Sequence, residues 1–238
     1  MENSLIISCF SFLRFTFILL HFFILRFTFY IFCFLFCVLH SSAQQSNNSG
    51  EHNRSIDSLL TLLKSDHNDT NKVNHLNQLS NEFRLMGKYD EGLRFCNNAL
   101  KLALQLNFKK GMATSYINIG FIHHNKGDYE KALGFYLKAL IIREEIGDKN
   151  GMANSYNNIG KLNTTLNKFA QARIYLNKSL QISTEIGTKE WTKLSYQGLS
   201  QLDSTLGNWK SAHQYHKLYS IYNDSILNEE TTKQIADM

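Results

Sequence analysis

The apolar positions of this chain follow two different rules. From Ser4 to His40 almost every residue is apolar, and only Arg14, His21 and Arg26 break the run with basic groups. After Ala43 the background is polar and rich in asparagine, and apolar residues recur three or four apart. That spacing gathers them on one stripe of an α-helix. The pattern predicts amphipathic helices over most of the chain beyond Ala43. The absence of proline agrees with this, because proline breaks helix interiors.

The helical pattern also repeats. From Asn71 the chain aligns with itself without gaps at a period of 40 residues, giving units 71–110, 111–150, 151–190 and 191–230. The second unit opens GMATSYINIG and the third GMANSYNNIG. Leu76, Tyr116, Tyr156 and Tyr196 share a column, followed at i+3 by Leu79, Ile119, Ile159 and Leu199. Ser80, Gly120, Gly160 and Ser200 come next and are always small, which lets a second helix approach closely. Gly87, Gly127, Asn167 and Gly207 suit the left-handed residue that ends a helix. Tyr89, Tyr129, Phe169 and Trp209 follow as aromatic plugs of that turn. Gly92, Ala132, Ala172 and Ala212 are small positions on the second helix, and Ala99, Ala139, Ser179 and Tyr219 form a column seven residues on. Tyr219 breaks the rule of small residues, so the fourth unit is expected to pack differently or to cap the stack.

A repeat of this size cannot bury its stripe alone, so stacking supplies the core. The fold expected is an all-α solenoid of four helix pairs. Ile56, Leu59, Leu60, Leu62 and Leu63 predict a capping helix within 55–70. Residues 44–54 read as a linker, and 231–238 as the start of a continuing helix.

The segment 1–43 has a separate role. Its last apolar run, Phe27 to Leu39, matches the core of an export signal and is short of the ~20 residues of a spanning helix. Arg26 supplies the positive flank, and Ser41-Ser42-Ala43 the small residues of a cleavage site before Gln44. Two readings stand: a cleaved signal that places the protein in the periplasm or cell envelope, and an uncleaved membrane anchor.

Charge and cysteine content narrow the function. The net charge is +5, of which +4 lies beyond residue 43, dispersed rather than clustered. Nucleic-acid binders show a concentrated basic face, so no nucleic-acid partner is expected. Cys9, Cys33 and Cys37 lie in the apolar segment, leaving Cys96 alone in the repeats as a small apolar residue. One thiol forms neither an intrachain disulfide nor a zinc site. The glycines sit at helix boundaries, with no phosphate-binding GK[ST]. His213 and His216 lack a third ligand, and the pairs Glu144-Glu145 and Glu229-Glu230 read as solvated helix ends. No catalytic residue, cofactor or metal is expected.

The units resemble the tetratricopeptide repeat, through Gly120, Gly127, Asp128, Tyr129, Ala132, Tyr136 and Ala139 in particular. They depart from it in a longer period and in lacking the proline near the end of the second helix, where Leu104, Glu144, Thr184 and Asp224 stand. The extra residues, such as Ile146 to Asn150, are expected to lengthen the second helix and its turn. The longer form is similar to repeats in exported sensor regions of bacterial signalling proteins, of the histidine kinase or transcription regulator type. In those relatives a stretch similar to the C-terminal LNEETTKQIADM leads into a coiled coil.

The resemblance implies a protein or peptide partner held by columns of the first helices. In this chain they are Asn74, Asn77, Asn81 and Arg84; Thr114, Ile117, Asn118, Phe121 and His124; Asn154, Asn157, Asn158 and Lys161; Gln197 and Gln201. Amides both donate and accept, so such a face suits a peptide backbone. Some members capture a terminal carboxylate with lysines, an arginine and asparagines. Asn77, Asn81 and Asn118 fit that clamp, but Asn154 and Asn158 stand where it needs basic groups. The function expected is a non-catalytic binding scaffold, either the extracytoplasmic sensor region of a signalling protein or a free-standing exported adaptor.

Overall fold

The computed structural model describes residues 50–237. The chain divides into two compact units, Met1–Arg54 and Ser55–Met238. Of the first unit only 50–54 are described, and these are helical, although 44–54 had the character of a linker. The export-signal and anchor readings of 1–43 concern residues outside the described ones. Among the described residues no helix is long and apolar enough to cross a membrane.

In the second unit, α1 covers residues 55–65. Then come α2 (Thr70–Leu85), α3 (Tyr89–Gln105), α4 (Lys109–Asn125), α5 (Tyr129–Glu145), α6 (Lys149–Thr165), α7 (Phe169–Glu185), α8 (Lys189–Thr205) and α9 (Trp209–Ala236). Each of α3 to α8 has 17 residues. The connection after each second helix is as tight as the turn within the pair, so the 40-residue period is two equal halves rather than a lengthened second helix. Every turn from α2 to α9 holds one left-handed residue, including Asn107 (φ 51°), Gly127 (φ 82°), Gly147 (φ 66°) and Asn167 (φ 57°). At Gly127 the amide of Asp128 donates to His123 O at 2.9 Å and that of Gly127 to His124 O at 3.0 Å. These bonds satisfy carbonyls that the helix end would otherwise orphan.

The capping helix uses a narrower face than its leucines suggest. Ile56 and Leu59 are buried and Leu63 packs on the first core, whereas Leu60 and Leu62 are exposed. Ser55 also donates to Glu82 Oε1 at 3.1 Å. Asp69 caps α2 by accepting from the amides of Asn71 and Lys72, a bond set worth about 1 kcal/mol.

Within the first three pairs the small residue of the first helix faces a position sixteen residues on. A Cβ on Gly120 would lie 2.5 Å from the Tyr136 ring, and one on Gly160 would lie 2.6 Å from Leu176. Ser80 meets the smaller Cys96 by a hydrogen bond, and Ser200 donates to Ala212 O at 2.9 Å. Beside this contact, Tyr116 stacks on Phe135, Tyr156 on Tyr175 and Tyr196 on Tyr215, with centroids 6.0 to 6.2 Å apart. Ala132, Ala139, Ala172 and Ser179 are fully buried.

The fourth unit differs as its sequence suggests. Tyr219 is half-buried and stacks on His216 at 5.7 Å. The aromatic plug fails there: Trp209 is 71% exposed. Tyr89 packs on the cluster of Cys96, Ile119 and Ile122, and Phe169 on that of Ala172, Leu176, Leu199 and Leu202. Among the described residues no helix follows α9 to cover Trp209.

A periodic ion pair closes each of the later pairs: Lys109 with Glu145, Lys149 with Glu185 and Lys189 with Glu229. In the last of these Ser225 occupies the glutamate's column, and Glu229 answers from one turn further along α9. All six side chains are at least 40% exposed, so each pair contributes little. Lys149→Ala will change unfolding free energy by less than about 0.5 kcal/mol in urea titration.

Candidate functional site

The first helices α2, α4, α6 and α8 carry the columns that the sequence marks for binding. Neighbours α2 and α4 pack closely, as do α6 and α8. Their shared face has a sealed layer and an open layer.

The sealed layer binds the helices to each other. In the α2–α4 seam Ser115 donates to Asn77 Oδ1 at 2.9 Å, and Asn118 Nδ2 to the Asn77 carbonyl at 3.0 Å. Asn77 Nδ2 reaches Gly111 O at 3.5 Å. One repeat later Ile117 stands in the place of Asn77 and is 4% exposed, and Asn157 is 2% exposed. The chemistry that Ile117 lacks comes from elsewhere. Arg143, near the end of α5, donates to Gly151 O at 2.7 Å, Ser155 Oγ at 2.8 Å and Asn154 Oδ1 at 3.1 Å. Burial pushes its guanidinium down to about 10, an effect that nearby Asp148 opposes. Ala103 and Ser183 occupy the equivalent positions. Arg143 thus acts as a wedge: a Cβ on Gly151 would lie 2.6 Å from its Nε, whereas one on Gly111 would meet Val73 of α2. α4 and α6 pack less closely than α2 and α4.

The open layer is what a ligand would meet. Asn74, Gln78, Asn81 and Thr114, together with Glu82, form the open rim of a cleft of about 370 Å³ between α2 and α4, with the buried Asn77 and Asn118 as its floor. Arg84 donates to Asn81 Oδ1 at 2.7 Å and lies 5.2 Å from the Phe121 ring centroid. Burial lowers the pKa of Arg84, and it does the same to Lys161 and His124. His124 packs on Tyr129 at 5.5 Å. On α6, Asn158 Nδ2 donates to Asn154 Oδ1 at 3.2 Å, and Lys161 reaches across to Gln197 Oε1 on α8 at 2.9 Å. Gln201 is exposed beside it.

The structure therefore gathers five of the sequence-marked residues, Asn74, Asn77, Asn81, Thr114 and Asn118, into one cleft. It sets Arg84, Phe121, His124, Asn154, Asn158, Lys161, Gln197 and Gln201 along the same helices and seals Ile117 and Asn157 beneath. Sequence columns missed two contributors. Gln78 shares the column of Asn118 and Asn158, so the period itself pointed to it. Arg143 lies outside the first helices, and its only signal is an arginine between Ala103 and Ser183 in register. Cys96 is buried, and burial pushes its thiol up to about 12, although Ser80 and Arg84 act the other way. Among the described residues no group of three or more His, Cys, Asp or Glu is placed to hold a metal ion.

Residues 111–185 match the family model of the tetratricopeptide repeat. No curated protein sequence matches the chain significantly. Among solved structures, aspartyl phosphate phosphatase F from Bacillus subtilis is similar with a TM-score of 0.65 and 15% identity, over 75% of this chain and 50% of that one. A Rap protein complexed with competence and sporulation factor gives a TM-score of 0.56 and 15% identity, over 74% of this chain and 59% of that one. BtubC (BKLC) from P. vanneervenii gives 0.58 and 14% identity, over 76% of this chain and 91% of that one. The chain thus spans about half to three-fifths of the first two and most of the third. At these identities the likeness establishes the fold alone. The described residues form an all-α solenoid of tetratricopeptide type, and its central repeats, 111–185, carry that family's signature.

Proposed function

We propose that this protein is a non-catalytic scaffold that takes an extended peptide along the open face of α2, α4 and α6. One observation carries the reading: the cleft whose open rim is formed by the amide and hydroxyl side chains of Asn74, Gln78, Asn81 and Thr114, over a floor of buried Asn77 and Asn118. Amides at this spacing can pair with both N–H and C=O groups of a peptide backbone. The Rap protein of similar fold was solved with competence and sporulation factor, which supports a ligand-holding role for such a stack.

The apolar segment 1–43 and the resemblance of the long repeat to exported sensor regions favour a place outside the cytoplasm, as the sensor part of a signalling protein. A free-standing exported adaptor is the second reading, favoured by the same segment if it is cleaved. N-terminal sequencing and intact mass of the native protein separate these. A chain of 44–238 would mean the adaptor, a heavier membrane-bound species the sensor.

Binding itself is tested on the cleft. Asn74→Leu changes an exposed amide with no role in the α2–α4 seam. It will leave the helical circular dichroism intact and weaken capture of peptides from a random library by about tenfold, a loss typical of a buried donor left unpaired. Peptide capture that survives this substitution unchanged would place the binding surface elsewhere.

A further inference from the structure

The binding face carries two cations that form no ion pair among the described residues. The first-helix columns that form it, headed by Asn74, Asn77, Gln78, Asn81 and Arg84, contain no aspartate or glutamate in any of the four repeats. They do contain Arg84 on α2 and Lys161 on α6. Arg84 bonds only a neutral amide oxygen, Asn81 Oδ1, and rests over the Phe121 ring. Lys161 bonds only Gln197 Oε1. Neither forms an ion pair among the described residues, whereas the exposed lysines of the helix ends do, at Lys109, Lys126, Lys149, Lys168 and Lys189. Glu82, the acid at the edge of the cleft, lies in the column of the core residues Ile122, Leu162 and Leu202 and accepts from Ser55 of α1. The acid nearest Arg143, Asp148, accepts from the amide of Gly151 at the start of α6. Half-buried cations with neutral partners are costly, and an anion arriving on the face relieves that cost.

Their placement sets the ligand's geometry. Lys161 shares the column of Asn81 and Phe121, and Arg84 lies one turn further along α2. The Arg84 guanidinium reaches from α2 over Phe121 of α4, and Lys161 reaches from α6 to Gln197 of α8. Packed helices stand roughly 8–10 Å apart, so the two cationic heads, one over α4 and the other against α8, are separated by about 20 Å. An extended chain covers that in about six residues at ~3.3 Å each. No single carboxylate, terminal or otherwise, can meet both.

Resting on the peptide-binding reading above, we propose that the face selects an extended segment with two acidic side chains about six residues apart, one for Arg84 and one for Lys161. The recognition differs from capture of a chain terminus, because both carboxylates belong to side chains.

The test uses the full chain in mild detergent and fluorescent, C-terminally amidated peptides of Ser, Asn and Gln with one central Leu. Two Glu are placed three to nine residues apart, and each peptide has an isostere with Gln in their place. Fluorescence anisotropy at low salt will show the Glu peptides binding about tenfold more tightly than the isosteres, best near a spacing of six. The preference will shrink as salt screens it. Lys161→Gln and Arg84→Gln will each remove most of the preference while the helical signal stays unchanged. Equal binding of Glu and Gln peptides overturns the proposal and leaves the peptide groove standing. So does a preference indifferent to both substitutions or to spacing. Binding of neither series overturns the proposal together with the peptide-binding reading on which it rests.

Discussion

Leucine at position 120 will destabilise the protein by about 3 kcal/mol or more, at the upper end of the cost of overpacking. Gly120 lies in the middle of α4, where a glycine alone costs about 1 kcal/mol relative to alanine. Its presence there needs a packing reason, and Tyr136 provides it. A bare Cβ at 120 would lie 2.5 and 2.6 Å from two carbons of the tyrosine ring. The ring has little room to retreat, being 1% exposed and set edge-on against Phe121 at 5.5 Å. Leucine adds three more carbons along the same direction and must part α4 from α5. The repair follows from the first unit, where Ser80 faces Cys96 instead of a large side chain. Gly120→Ser combined with Tyr136→Cys rebuilds that pair and will be more stable than Gly120→Ser alone. Urea unfolding followed by circular dichroism measures both. A double variant no better than the single would show that the ring is not the obstacle, and the assigned register would fall with it.

That pairing explains why so much of the fold was legible. The columns at 80 and 96 repeat as 120 and 136 and as 160 and 176, so a rule of complementary size is written three times into one chain. The turn residues were legible for a similar reason, because a positive φ admits few residue types and glycine or asparagine recurs at each turn. What the columns concealed is what differs between repeats. Arg143 stands where alanine and serine stand elsewhere, and register alone assigns it a small residue's role. Ile117 and Asn157 share a helix face with open positions, yet they are 4% and 2% exposed, and periodicity marks a face without its depth. Trp209 matches Tyr129 and Phe169 in type, but it is 71% exposed, with no described helix over it. The candidate groove was therefore legible as a set of columns. Its division into a sealed and an open layer needed the contacts between helices.

Replacing Arg173 by methionine will cost about 2–3 kcal/mol near neutral pH. Asp203 is 2% exposed and is held by Arg173 from α7 and by Ser211 Oγ at 2.6 Å. Removing one partner of a buried pair strands the other charge, at about 3–5 kcal/mol where burial is complete. Arg173 is 32% exposed, so water will reach part of the gap and the lower figure applies. The previous interface shows what the site tolerates, because Leu133 and Asn163 stand in the same two columns. Arg173→Leu with Asp203→Asn copies that pair and will recover most of the loss. The pH dependence has a definite sign. Burial by itself raises the Asp203 carboxyl, but the bonds from Arg173, Ser211 and Asn208 outweigh it and hold the group below its usual value. A depressed carboxyl stabilises the fold above its unfolded pKa, and that contribution fades as pH falls through the folded value. Without Arg173 burial dominates, the carboxyl moves up, and the folded state takes a proton more readily than the unfolded chain. The deficit of Arg173→Met will accordingly be largest at neutral pH and will shrink as the carboxylate range is crossed downward. A deficit that stays constant across that range, in urea titrations at successive pH values, would mean that Arg173 contributes packing alone and that its charge does nothing for Asp203.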